Sequence, residues 1–281
     1  MDPMMIVYSA FVFLLTTAIG SFINVVVYRL PLKISLASPG SHCPNCKNPI
    51  KWYDNIPIIS YIVLKGRCRY CKEKISPRYI LVELLTGVGS TFIFIRFGLS
   101  VLSLFGIIMF LLLLPIVFID IEHMIIPDSI VILLLVLAIF SLFFNNITYG
   151  SKTIIIDYKS KLIALGICIV ISLIIFLFEK LLKRDLMGGG DIKLLCVSSL
   201  ILGWQLMLIA LTVASILSCI VQIPIRIHQI NKMKNSNEPV NEQNNENMNY
   251  FPFGPYLSFG IMLAYIFGLN IIELWMSFII V

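Results

Sequence analysis

Long apolar runs separated by short charged clusters dominate this chain. An α-helix rises 1.5 Å per residue and a bilayer's hydrocarbon core is about 30 Å thick, so a spanning helix needs about 20 mostly apolar residues. Eight runs near that length stand out, at roughly 5–28, 79–97, 100–119, 129–145, 161–182, 187–203, 205–225 and 255–279. They predict an all-α membrane protein of about eight transmembrane helices, with the lipid bilayer as its first partner. The first run has Asp2 instead of a basic leader and ends in Tyr28-Arg29-Leu30 without a small-residue cleavage site, so it reads as a retained helix. Composition agrees: 59% of the 281 residues are hydrophobic, 13% are charged, and the mean hydropathy is +0.95.

Charge then orients the runs. With the N-terminus outside, all but Arg96, Lys152, Lys159 and Lys161 of the 21 lysines and arginines fall in the inner segments 29–78, 120–128, 180–193 and 226–250. This is the positive-inside pattern, and it places both termini outside and the long loop after the first run in the cytosol. The net charge of +6 is thus topological; the basic residues are spread over separate loops without an aromatic-interleaved patch, and no nucleic-acid partner is expected. The expected organisation is a first transmembrane helix over 1–28, a cytosolic four-cysteine domain over 29–78, and a polytopic transmembrane domain over 79–281. The last includes a flexible cytosolic loop at 226–250, polar and Asn-rich from Asn231 to Asn249.

The cytosolic loop carries Cys43-Pro-Asn-Cys46 and, after 21 intervening residues, Cys68-Arg-Tyr-Cys71. Two such C-x-x-C knuckles can wrap four thiolates around one tetrahedral metal, which suits a coordinatively closed structural zinc. A disulfide reading is weakened by the reducing compartment. The remaining Cys168, Cys196 and Cys219 lie in apolar runs and read as packing residues.

Two carboxylates stand at the inner membrane edge. Asp120 closes the third run, and Asp191 follows Gly188-Gly189-Gly190 at the start of the sixth. Only 11 residues separate Lys193 from Gly203 inclusive, about 16 Å of helix, so the sixth run spans only if it includes the glycine segment and Asp191. Singly, Asp191 reads equally as a helix N-cap and Asp120 as a snorkelling helix-end residue. Together they fit a water-activating pair, one taking a proton from water and the other donating to a scissile carbonyl. By the helix ends they occupy, Asp120 would be the acid and Asp191 the base. Asp128 reads as an N-cap for the fourth run, and Glu122 and His123 as exposed loop residues, more often solvated than catalytic, though His123 could reach the cavity.

Thr17, Gly20, Ser21 and Asn24 share one face of the first run, and Glu83, Thr86, Gly87 and Ser90 share one face of the second, a pattern of close helix packing. Glu83 is an acid about a turn inside the span, so it needs an interior partner or water and is the second functional candidate. Pro252-Phe253-Gly254-Pro255 reads either as cavity wall or as a simple turn into the last helix. Two rivals use the same residues: a proton- or cation-coupled transporter, and a noncatalytic subunit of a pilus or secretion assembly whose cysteine loop docks a partner.

Taken together, the chain resembles the type IV prepilin peptidases, a family of GxGD membrane aspartyl proteases. The resemblance rests on GSFINVVVYRLP at 20–31, the two cysteine knuckles, WYDNIPIISY at 52–61, ISPRYILVELLTG at 75–87, DIEHMIIPD at 120–128, GGGDIKLL at 188–195 and FGPYL at 253–257. It implies catalytic acids at Asp120 and Asp191, a bacterial cytoplasmic-membrane location with the acids on the cytosolic side, and prepilin or pseudopilin substrates cut after Gly and usually before Phe. It further implies that many members N-methylate the new terminus from S-adenosylmethionine, for which Glu83 is the candidate cofactor-binding residue.

Overall fold

The computed structural model describes residues 3–143, 146–149, 152–155, 157–183, 187–235 and 251–279. The chain forms two compact units, Met1–Ile119 and Asp120–Val281. Among the described residues, six helices are long and apolar enough to cross a membrane.

In the first unit, α1 (Pro3–Arg29) packs against α3 (Arg78–Phe97), and the loop between them holds a 3-10 turn at Trp52–Asn55 and the short α2 (Ile59–Val63). The two small-residue faces, read from the sequence as sites of close helix packing, meet each other. Thr17, Gly20 and Asn24 are buried on one helix, and Glu83, Thr86, Gly87 and Ser90 on the other. A Cβ at Gly87 would lie 2.5 Å from Thr17 Cγ2 and 2.7 Å from Phe13 Cε2, so this approach requires glycine. Asn24 Nδ2 donates to the Tyr79 carbonyl (3.1 Å), tying the two helices near one end. The next helix, α4 (Val101–His123), lies in the first unit up to Ile119 and carries Asp120 into the second.

The second unit contains α5 (Asp128–Ser141), the antiparallel pair β1 (Asn146–Tyr149) and β2 (Lys152–Ile155), α6 (Tyr158–Leu182), α7 (Gly189–Asn235) and α8 (Gly254–Ile279). The hairpin is a small addition to an otherwise helical fold. Helix α7 is two helices in one: Gly203 (φ 73°, ψ 173°) breaks it between the sixth and seventh apolar runs. The fourth run forms only 14 helical residues, about 21 Å, so α5 is shorter than the expected 129–145 and short of a full span. Helix α6 turns most of its side chains outward, including Ile169, Val170, Leu173 and Ile174, as a lipid-facing helix should, whereas more than half of the α8 span is buried. The segment expected as a flexible loop over 226–250 begins as helix to Asn235, and residues 236–250 lie outside those described.

Candidate active site and metal centre

The four knuckle cysteines converge within the first unit. Their sulfur atoms all lie within 4.8 Å of one another, with Cys43 Sγ 3.8 Å from Cys71 Sγ and Cys46 Sγ 4.0 Å from Cys68 Sγ. A tetrahedral ion with bonds of about 2.3 Å to sulfur needs edges of about 3.8 Å, so the arrangement fits one metal. The knuckles are built alike. In the first, Cys43 N–H donates to Asn48 O and Lys47 N–H to Cys43 O; in the second, Cys68 N–H donates to Glu73 O and Lys72 N–H to Cys68 O. Lys47 (φ 57°) and Lys72 (φ 60°) both adopt the left-handed conformation that closes each turn. In the second knuckle the backbone N–H groups of Cys71 and Tyr70 bond to Cys68 and draw its thiol down to about 7, favouring the thiolate a metal requires. Arg69 grips Asp54 with two hydrogen bonds of 2.7 and 2.6 Å and lies over the Tyr53 ring, fixing the knuckle to the Trp52–Asn55 turn.

The carboxylate pair is assembled within the second unit. Asp120 stands in the last turn of α4 and is almost completely buried. Its Oδ2 accepts the N–H of Gly254 at 2.9 Å, from the first residue of α8. Asp191 stands in the first turn of α7, where Asp191 N–H and Ile192 N–H donate to Gly188 O. Glycine at position 188 thus begins the helix, and Asp191 is not its N-cap. Oδ1 of Asp191 is shielded and bonds no protein group, and the carboxylate lies within the electrostatic field of Asp120. Ile126 joins these parts: a Cβ at Gly190 would lie 2.9 Å from Ile126 Cβ, and a Cβ at Gly254 would lie 3.2 Å from Ile126 Cδ1. Two acids, from a helix end and a helix start, therefore meet beside the head of the last helix.

Several expectations need correction or completion. Asp128 is itself the first residue of α5 and makes no capping bond; its exposed carboxylate pairs with Lys193 at 2.7 Å, two residues beyond Asp191. Such an exposed pair contributes little stability. Glu83 has an internal partner, for its Oε2 accepts the Ile58 N–H at 2.7 Å. Gly254 touches Asp120 through its backbone N–H, and Pro252–Pro255 also makes the turn into α8. Ile126 lies in the DIEHMIIPD stretch, but nothing in its own chemistry marks it as a contact of Gly190 and Gly254. Cys168 is buried and Cys196 half-buried in apolar helices, whereas Cys219 is exposed on a helix face.

A multi-pass helical membrane protein with two acids close enough to feel each other's charge at helix ends defines the class. Within it, residues 14–97 match the family model described as the Bacterial Peptidase A24 N-terminal domain, and residues 107–223 match the Type IV leader peptidase family. The chain is similar to the prepilin leader peptidase/N-methyltransferase of Aeromonas salmonicida (30% identical over 97% of this chain and 95% of the relative). It is also similar to the proteins of that name from Dichelobacter nodosus (31%; 94% and 93%) and Klebsiella pneumoniae (37%; 74% and 91%). No solved structure matches. The chain belongs to the type IV leader peptidase family.

Proposed function

We propose that this protein is an aspartyl endopeptidase that removes the leader peptide from prepilins or pseudopilins, with Asp120 and Asp191 as its catalytic residues. The observation that carries the assignment is the convergence of these two acids, one held by the Gly254 N–H and the other with a shielded oxygen that no protein group bonds. Asp191 takes a proton from water as the water oxygen attacks the scissile carbonyl carbon. Asp120 donates a proton to the carbonyl oxygen, giving a neutral tetrahedral diol. Collapse of the diol breaks the C–N bond, the proton held by Asp191 passing to the departing amine while one diol hydroxyl returns its proton to Asp120 as the carbonyl re-forms. Because Gly254 occupies Oδ2, the other oxygen of Asp120 is the one turned to carry the transferable proton.

The four cysteines hold a structural zinc whose closed shell shapes the loop and leaves the chemistry to the acids. The distribution of basic residues supports a cytosolic position for this loop and for the helix ends that bear the two acids. Methylation of the new N-terminus is the second activity that the family implies, with S-adenosylmethionine as the methyl source. Glu83 is the candidate residue for holding that donor; its Oε2 already accepts the Ile58 N–H, and no step is derived through the donor.

The test is a prepilin processing assay in proteoliposomes. Asp120→Asn and Asp191→Asn should each abolish the mobility shift of the substrate while the protein remains membrane-inserted. Turnover near the wild-type level in either variant would refute the pair, and ion flux without proteolysis would favour a transporter.

A further inference from the structure

Within the first unit, the ten residues Asn55–Leu64 (NIPIISYIVL) contain no charge, although they sit in a loop otherwise rich in lysine and arginine. A run of this length is too short to span a bilayer and suits a re-entrant or interfacial segment. Its depth can be read from one bond. Helix α3 is 20 residues long, about 30 Å, and its charged residues Arg78 and Arg96 bracket an apolar stretch. Glu83 lies five residues beyond Arg78, about 7 Å along the axis, and its carboxylate holds the Ile58 N–H. The segment therefore folds back alongside the part of α3 that enters the hydrocarbon.

Its backbone is closed at both ends, as burial in lipid demands. Ile58 (φ 63°, ψ −53°) forms a tight γ-turn of the strained hand, with Ile59 N–H donating to Pro57 O. The turn leaves the Ile58 N–H pointing away from the chain, and Glu83 accepts it. At the other end, Gly66 N–H donates to Tyr61 O and Lys65 N–H to Ile62 O, a Schellman closure with Lys65 left-handed. Between them, Ile59, Ile62 and Val63 fall on one face by three- and four-residue steps and are 58%, 63% and 67% exposed. Trp52 and Tyr53 on one flank, and Lys51, Lys65 and Arg67 around the segment, are the residue types that settle at a headgroup layer.

We propose that Asn55–Leu64 is a re-entrant membrane segment whose Ile59, Ile62 and Val63 face contacts lipid acyl chains, and that Glu83 is the latch holding it at depth. The occupant of the exposed face is lipid because the face is wholly apolar and the Glu83 bond holds the segment beside the apolar stretch of α3. The inference rests on the chain's being a multi-pass membrane protein and is independent of which residues are catalytic.

Unmodified enzyme in nanodiscs containing anionic lipid tests it, with a photoactivatable diazirine placed either in the acyl chain or in the headgroup. Peptide mapping should find acyl-chain adducts on Ile59, Ile62 and Val63 at a yield comparable to Leu81 and Val88 of α3, several-fold above that on Lys33–Pro39. Labelling of the three residues by the headgroup reagent alone, or by neither, overturns the proposal. Loss of the acyl-chain adducts when a prepilin is added at saturation also overturns it, since the face would then be a substrate site. Glu83→Ala should reduce the adducts several-fold and Glu83→Gln, which keeps an acceptor oxygen, should retain them; unchanged labelling in Glu83→Ala removes the latch.

Discussion

Replacing Gly254 by alanine isolates the contact that orients Asp120. The added Cβ would lie 2.7 Å from Asp120 Oδ2 and 3.2 Å from Asp120 Cγ and from Ile126 Cδ1. Ordinary contact begins near 3.4 Å, so the carboxylate or the head of α8 must move by about 0.7 Å. A misplacement of about 1 Å in a catalytic group costs about 100-fold, and loss of a hydrogen bond to the protonated acid costs about 0.5–1.5 kcal/mol, about 2- to 10-fold. These are two descriptions of one displacement and do not add. The expected result is a fall in kcat of about 10- to 100-fold with KM nearly unchanged, because the leader's remote contacts are untouched. The assay is steady-state cleavage of a prepilin peptide in proteoliposomes, with thermal unfolding recorded alongside. Gly189→Ala is the matched control: it adds the same methyl group one residue from Gly190, yet meets nothing within 4 Å and should retain near wild-type kcat. A folded Gly254→Ala enzyme with full activity would refute the reasoning, as would a Gly189→Ala enzyme equally impaired.

Other outcomes follow from the same geometry. Gly190→Ala, whose Cβ would lie 2.9 Å from Ile126 Cβ, should lower activity where Gly189→Ala does not, a contrast kinetics will show directly. Elemental analysis should find about one zinc per chain, and Cys43→Ser should release it and open the loop to trypsin while the helical circular dichroism persists. Gly87→Leu should destabilise the α1–α3 contact by about 1–3 kcal/mol, seen as a lower unfolding temperature with KM for the peptide unchanged. Arg69 holds the Asp54 carboxyl below its usual range. The pair's contribution is thus fully present above the unfolded carboxyl value of about 3.9 and disappears as pH falls through the lower folded value. Limited proteolysis of the loop across that range should show protection lost in the wild type and no such transition in Asp54→Asn.

Much of this was legible along the chain because membrane helices write their length and charge asymmetry into sequence. The paired knuckles likewise announce a four-sulfur cluster, and the break at Gly203 fell where two apolar runs met. Other features depend on tertiary contacts that leave no pattern. Gly254 and Asp120 are 134 positions apart, and the partner of Asp120 is a backbone N–H that any residue at 254 would carry; only the missing Cβ is particular to glycine. Ile58 is less legible still, since a β-branched residue with positive φ runs against local preference and is sustained here by Glu83. Asp128 misled for the opposite reason: the Pro-Asp-Ser pattern fits a capping residue, yet the helix begins at the aspartate and its side chain turns to Lys193.

The hydrogen bond from Gly254 to Asp120 also bears on how the enzyme is made. A nascent chain that has emerged as far as residue 250 already contains both acids and the whole cysteine loop, but not the N–H that sets the angle of Asp120. If Asp120 is catalytic as proposed, competence waits until α8 threads into the bilayer and its first residue reaches back across 134 positions. A ribosome that stalls before that point leaves in the membrane a polypeptide with both acids in place and no means of aiming them.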